Sequence, residues 1–531
     1  MSVERRMLTS TLSSSYNSKT NYTRALTACV LGAALIYVVA QANWVSNYLA
    51  PLIVIVGAVV LITAWRNWEF GVQAVLVIVI FEGAVRKWFL PSASDLVYFY
   101  KDFVMLASLV SYLSQRDKPP LFIKGQLRLF LITASAFLAY AIASASNPRL
   151  PHLLVGLFGV KVYCLYIPLA FMVPRLFPTK EKLIGFLKWY VLLAVPVIIL
   201  GVAQFRNADQ TSSLNRYAWN QEESETGNEG AGIASFEDSQ GNTYVRVTGT
   251  FSYLSGLAIY LPIVFSMLLG LVAAISSQPA SRRLRLFYYP ILAAVVATTF
   301  MTGSRGAVLN LVIITLIFFA LTSSKSLKDR LLQIAVGGAL TYVLLTTFFP
   351  QALDAMKTRA LGSEGQIEEG RGRIQALFQL PVDEALIAGG FGYGIGATQN
   401  SVLSLMNKFN LPFTGEQIPI GYEDEAARVM LDIGVVGYLL YGLLRFILLA
   451  TLWRSCLALR ERNSKSLVVA TLSILTIYIF VGGSVVNHTQ NVYQWFLVGV
   501  CFALVNAEKL GQAELNPSPA IRGVTGKSAL A

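Results

Sequence analysis

The chain has 531 residues, 55% of them hydrophobic and only 13% charged, with a formal net charge of +13. Soluble globular proteins carry about 25% charged residues, so the composition excludes a water-soluble fold. The apolar runs are long and continuous rather than short and alternating, which excludes a β-barrel and predicts membrane-crossing helices. The positive charge points to no nucleic-acid partner, because most Lys and Arg residues fall in short loops between apolar runs, where they set topology.

Residues 1–24 are polar, with Arg5, Arg6, Lys19 and Arg24, and read as a cytoplasmic tail. A Ser/Thr/Asn-rich leader without a small-residue cleavage site argues against a secretory signal. Spans are expected at 25–41, 48–65, 69–85, 97–114, 127–145, 153–173, 183–204, 248–276, 286–302, 306–322, 331–349, 426–452, 467–485 and 490–507. The expected fold is therefore all-α: a polytopic transmembrane helical bundle of about fourteen spans, occupying residues 25–507, with 508–531 as a second cytoplasmic tail.

With the N-terminus inside, the cytoplasmic loops hold clusters such as Arg116/Lys118/Lys124/Arg128, Arg282/Arg283/Arg285 and Arg454/Arg460/Arg462/Lys465. The short loops opposite hold only Arg86, Lys87, Arg149 and Arg305, which fits the positive-inside rule. Two long hydrophilic loops, 206–247 and 350–424, then share the non-cytoplasmic side. The second lies between spans eleven and twelve. It carries Arg371, Arg373, a glycine run at Gly389–Gly396, the acids Glu423, Asp424 and Glu425, and apolar residues at helical spacing (Ile374, Leu377, Phe378). A loop of this length is usually functional or disordered, and these features argue for function. No internal repeat is visible.

Cys29, Cys164 and Cys501 lie in apolar segments and Cys456 in a basic loop, so no disulfide framework and no metal-ligand spacing is expected. Charges inside spans are costly and mark function by default. Lys161 has no acid nearby in sequence and is a candidate anion contact. Glu82 and Arg86 are one turn apart and read as an i,i+4 pair at the end of the third span, and Asp95, Lys101 and Asp102 open the fourth.

Arg246 in YVRVTGTFSYLSG and Arg305 in MTGSRGAVLN are flanked by small residues and lie opposite the side where topology arginines belong. A guanidinium there either snorkels to lipid headgroups or binds phosphate oxygens bidentately. Glu423 and Glu425 stand before a span, either as solvated acids at a helix N-terminus or as candidate general bases.

The series R-x-x-G-T-F at Arg246–Phe251, S-R-G at Ser304–Gly306, G-R-I-x-A-L running to G-G-F-G-Y-G, and E-x-x-R-x-x-x-D-I-G-x-x-G at Glu425–Gly437 resembles the O-antigen ligase and polymerase superfamily over residues 245–440. The resemblance implies a GT-C-like glycosyltransferase of the bacterial inner membrane. It would transfer a saccharide from undecaprenyl diphosphate to an acceptor hydroxyl at the periplasmic face, using no metal, nucleotide or other cofactor. By that resemblance Arg246 and Arg305 hold the diphosphate and Arg373 or Arg371 adds to the clamp; Lys161 and Arg86, outside the matched region, are further candidate substrate contacts by their charge alone. A flippase and a chain-length regulator are partners by analogy.

Ligases of the family carry a histidine near the start of the span after the large loop. This chain reads YEDEAAR there, and His488 lies in a different element. That departure favours a polymerase of O-antigen, exopolysaccharide or capsule repeats, with Glu423, Glu425 or no side chain at all as base. Transfer to a lipid or protein acceptor, and a transporter, are the alternatives. Trp219, Phe391, Tyr393 and Tyr422 are candidates for stacking on sugars or for ordinary loop packing.

Overall fold

The computed structural model describes residues 45–116, 118–119, 127–207, 211–218, 234–275, 282–322, 349–361, 364–399 and 424–515, with isolated positions between them. The described residues are predominantly helical. In chain order the helices are α1 (Val45–Arg66), α2 (Trp68–Ala84), α3 (Ser94–Ser114), α4 (Arg128–Ser144), α5 (Leu153–Cys164), α6 (Leu169–Leu176), α7 (Lys180–Tyr190) and α8 (Ala194–Arg206). After a two-stranded hairpin, β1 (Ser235–Glu237) and β2 (Thr243–Val245), come α9 (Leu254–Ile275), α10 (Arg282–Met301), α11 (Arg305–Thr322), α12 (Pro350–Leu361), α13 (Glu364–Ala388), α14 (Glu425–Ala458), α15 (Arg462–Phe480) and α16 (His488–Leu515).

Eight helices among the described residues are long and apolar enough to cross a membrane, or nine if α5 and α6, bent by 43°, form one broken span. α4 and the apolar part of α10 (Leu286–Met301) are shorter. The count of fourteen is not established by these helices, and the expected spans 25–41 and most of 331–349 lie outside the described residues.

The helices sort by burial. α9 is apolar all round and mostly buried, the pattern of a helix at the centre of a bundle. Gly270 lets it close on Leu467 and Ala470 of α15, and Ser266 Oγ donates to the Ala470 carbonyl at 2.7 Å. On α16, Gly499 meets Val173 and the Leu169 carbonyl of α6. α1 instead exposes Leu52, Ile55, Val59 and Ile62. Apolar surface of this extent is untenable in water and is the ordinary dress of a lipid-facing helix.

The stretch 350–424 is not a plain loop. It contains α12 and the 25-residue α13, which at 1.5 Å per residue is about 37 Å long. Phe378, one of the apolar residues at helical spacing, is 76% exposed. The loop 206–247 contains the hairpin, with Ser235 opposite Val245. Ser239 donates from its amide (2.9 Å) and its hydroxyl (2.5 Å) to Asp354 Oδ2, which docks α12 on the hairpin. Cys456 lies inside α14, buried, rather than in a basic loop.

Candidate functional site

The connections α2–α3, α8–α9, α10–α11 and α15–α16 meet at one loop-rich end of the bundle, around residues 246–255. The entry to this segment is fixed by Gly83 on α2. A Cβ there would sit 2.1 Å from the Ser252 amide nitrogen and 2.4 Å from the Phe251 carbonyl carbon, so backbone rests on backbone. Thr250 Oγ1 donates to the Ile80 carbonyl at 2.6 Å. Gln204 Oε1 accepts from the amides of Thr248 (3.0 Å) and Gly249 (2.8 Å), while its Nε2 donates to the Leu214 carbonyl.

α2 continues as a π-helical turn, Val85–Phe89, that aims two cations at this segment. Lys87 is 1% exposed and donates to Gly249 O at 2.8 Å and Thr248 Oγ1 at 3.0 Å, with its ammonium 4.2 Å from the Trp88 ring centre. Arg86 donates to Ser94 Oγ (2.9 Å), Ser252 Oγ (3.0 Å) and the Ala218 carbonyl (3.4 Å). Both hold neutral oxygens. At the other end, Arg246 Nε donates to the Thr302 carbonyl at 3.1 Å, and its amide extends the hairpin through Ala234 O. Gly303 (φ +62°) lies against this side chain: a Cβ there would be 3.4 Å from Arg246 Nε. Arg305, half-buried, opens α11 two residues later. Arg246 and the turn carrying Arg305 thus meet, although 59 residues separate the two arginines (305 − 246).

Behind Arg86 lies a charged cluster built around Tyr98. Its ring centre is 5.1 Å from Arg86, 4.4 Å from Lys101, 5.4 Å from Lys161 and 5.2 Å from the His488 ring. Lys101 pairs with Glu82 at 2.8 Å, and Lys161 with Asp102 at 2.7 Å. Tyr166 donates to the other oxygen of Asp102. The i,i+4 pairing of Glu82 with Arg86 is therefore corrected: Glu82 reaches across to α3, where a fully buried lysine needs its charge met. Lys161, without an acid near it in sequence, finds one on α3. The buried Nδ1 of His488 has no hydrogen-bond partner among the described residues.

A third group surrounds the start of α14. Asp424 caps the helix by accepting from the Ala427 amide at 3.1 Å. Glu425 Oε1 lies 3.0 Å from Arg445 Nη1, and Oε2 accepts from the Val485 amide at 2.6 Å. Oε2 thus ties α14 to the α15–α16 turn, while Oε1 meets an arginine farther along α14 itself. Asp432, fully buried, accepts from Tyr163 Oη (3.0 Å) and the Thr398 amide (2.7 Å).

The glycine run has a specific task. α14 breaks at Gly434 (φ +64°), which frees the carbonyls of 431 and 432 and the amides of 435 and 436. Tyr393 N donates to Leu431 O (2.8 Å) and Gly394 N to Asp432 O (2.9 Å), while Val435 N and Val436 N donate to the Gly389 and Gly390 carbonyls (3.1 Å each). The inserted 389–394 segment therefore satisfies all four groups. It needs contact distance: a Cβ at Gly434 would lie 2.3 Å from Gly392 N.

Glu423 and the side chains of Arg371 and Arg373, like Trp219 and Tyr422, lie outside the described residues, although 371 and 373 fall within α13. Of the aromatic candidates, Phe391 is exposed and Tyr393 is buried beneath Arg149, 3.7 Å from its ring. Sequence reasoning gave Asp432 no role, although the D-I-G motif contains it, and missed the Glu425–Arg445 pair and the grip of Lys87. Lys87 carried a signal as a cation beside Arg86 at a span end, and Asp432 as the acid of the motif; Arg445 carried none. No protein-family model and no curated protein sequence matches this chain.

Proposed function

We propose that the protein is a metal-independent glycosyltransferase of the bacterial inner membrane. In this reading it polymerises polysaccharide repeats of the O-antigen, exopolysaccharide or capsule type from an undecaprenyl-diphosphate-linked donor at the periplasmic face. The observation that carries the reading is the packing of Arg246 on the Thr302–Arg305 turn. Arg246 stands against the turn from which Arg305 opens α11, at the end of an apolar bundle, where a membrane-anchored diphosphate would present its charge. The acceptor hydroxyl attacks the anomeric carbon. The bond from that carbon to the diphosphate oxygen breaks, its electron pair leaves with the diphosphate, and the hydroxyl proton passes to a base. Fixed cations stabilise the charge that develops on the leaving group. Arg86 and Lys87 add positive charge one segment away. Because the oxygens of Glu425 hold Arg445 and the 485 amide, the base in this reading is Glu423.

A second reading, a transporter, draws on the two broken helices, α5–α6 and α14 at Gly434, since discontinuous helices line substrate sites in many transporters. One assay separates the readings. Purified protein is mixed with undecaprenyl-diphosphate-linked repeat units from the native host, and the products are resolved on a gel. A ladder of longer lipid-linked chains supports the polymerase. Transfer only to an added lipid or protein acceptor makes the protein a ligase. Donor binding without any product favours the transporter.

A further inference from the structure

α13 carries two exposed edges of opposite character, side by side. Its buried face presents Pro381, Glu384 and Ala388 to the protein. Phe378, Val382 and Leu386 follow each other at four-residue spacing and are 76%, 66% and 89% exposed. Gln375, Gln379 and Asp383, also exposed, form a second row at the same spacing, and Gln375 Nε2 donates to Gln379 Oε1 at 3.0 Å. At 100° per residue the two rows lie about 60° apart on the helix. A helix wholly in water has no use for the first row, and a helix immersed in lipid has none for the second. A helix lying along the boundary needs both, one turned to hydrocarbon and one to water.

The apolar row also continues into a surface that faces lipid for other reasons. The Val435 and Val436 amides bind the Gly389 and Gly390 carbonyls at 3.1 Å, which joins the end of α13 to α14. Phe391, 68% exposed, stands at that join. On α14, a helix long and apolar enough to span a membrane, Val436, Leu439, Leu443 and Phe446 are exposed at helical spacing. Leu386, Phe391 and Val436 therefore link the apolar edge of α13 to the outward stripe of a span.

We infer that α13 is an interfacial helix whose Phe378–Val382–Leu386 edge is immersed among the acyl chains at the bilayer surface, while its Gln375–Gln379–Asp383 edge faces water. The occupant of the apolar edge is lipid, not a second copy of the chain or a soluble protein. The inference is independent of the reaction proposed above.

Site-directed spin labelling tests it. Val382→Cys, Leu386→Cys, Gln379→Cys and Asp383→Cys variants of the full chain are labelled and reconstituted in phosphatidylcholine/phosphatidylglycerol liposomes. The wild-type chain, labelled in parallel, gives the background from the native cysteines. The expected result is relaxation by oxygen, with little by a water-soluble nickel chelate, at 382 and 386, and the reverse at 379 and 383. Nickel reaching 382 and 386 as readily as 379 and 383 overturns the inference. Protection of 382 and 386 from both reagents also overturns it, because it shows protein covering the edge. All four substitutions are at exposed positions, so loss of the fold does not confound the comparison.

Discussion

Asp102 binds the Lys161 ammonium with one oxygen and the Tyr166 hydroxyl with the other, at 4% exposure. Removing one member of such a pair leaves an uncompensated buried charge, which costs about 3–5 kcal/mol. Lys161→Met is therefore expected to lower the melting temperature of the detergent-solubilised protein well below that of a surface control such as Gln240→Ala, and unchanged melting would rule out the pair as a structural tie. The proposed arginine clamp makes the opposite prediction. Arg246→Ala and Arg305→Ala should reduce glycan transfer about 10²–10³-fold with little change in melting, and Arg305→Lys should recover little, because an ammonium lacks the planar fork that fits a diphosphate. Full activity in both alanine variants would remove the clamp. The sequence marked Lys161 as anomalous but could not name its partner, since Asp102 lies on another helix, and the same distance hid Lys101 from Glu82.

At the scale of elements, the join between the glycine run and α14 explains two motifs at once. In sequence G-G-F-G-Y-G lay in a loop and D-I-G inside an expected span, whereas in the fold one completes the hydrogen bonds that the other breaks. Gly434→Ala places a side chain at φ +64° and a Cβ 2.3 Å from Gly392 N. The backbone strain alone is of order 1–3 kcal/mol, so this variant should melt earlier and its 389–394 amides should exchange faster, while Gly442→Ala, with open space around it, should do neither. α13 was legible only over Ile374–Phe378, because Gly370, Gly372 and Pro381 interrupt its sequence. The docking of α12 on the hairpin is pH-linked. The two Ser239 hydrogen bonds hold Asp354 below the usual carboxylate range, and those of Asn242 do the same for Asp238. A depressed carboxylate stabilises the folded arrangement above its unfolded pKa of ~3.9, and that contribution is lost as pH falls through the folded value. The protection factor of the Ser239 amide, the factor by which it exchanges more slowly than in the unfolded chain at the same pH, should accordingly fall on acidification below about pH 4, and Asp354→Asn should flatten the dependence.

For the molecule as a whole, apolar run length was the most legible signal, because a helix that faces lipid or a lipid-like core must be apolar along its length. It located α1, α2, α3 and α11 to within three residues at either end, and α9, α14 and α15 to within six. It was less informative where a span breaks, as between α5 and α6, since backbone bending leaves no trace in hydropathy. Orientation rests on charge asymmetry alone, and it decides whether Arg246, Arg305 and the hairpin stand outside the cell membrane or within the cytoplasm. Gln240, exposed in the hairpin, and Arg460, exposed in the α14–α15 connection, mark opposite ends. With Gln240→Cys and Arg460→Cys variants expressed in spheroplasts, a membrane-impermeant maleimide should label 240 directly and 460 only after the membrane is opened. The reverse pattern would place the arginine site in the cytoplasm, where a lipid-linked glycan already flipped outward cannot reach it, and the polymerase reading would fall with it.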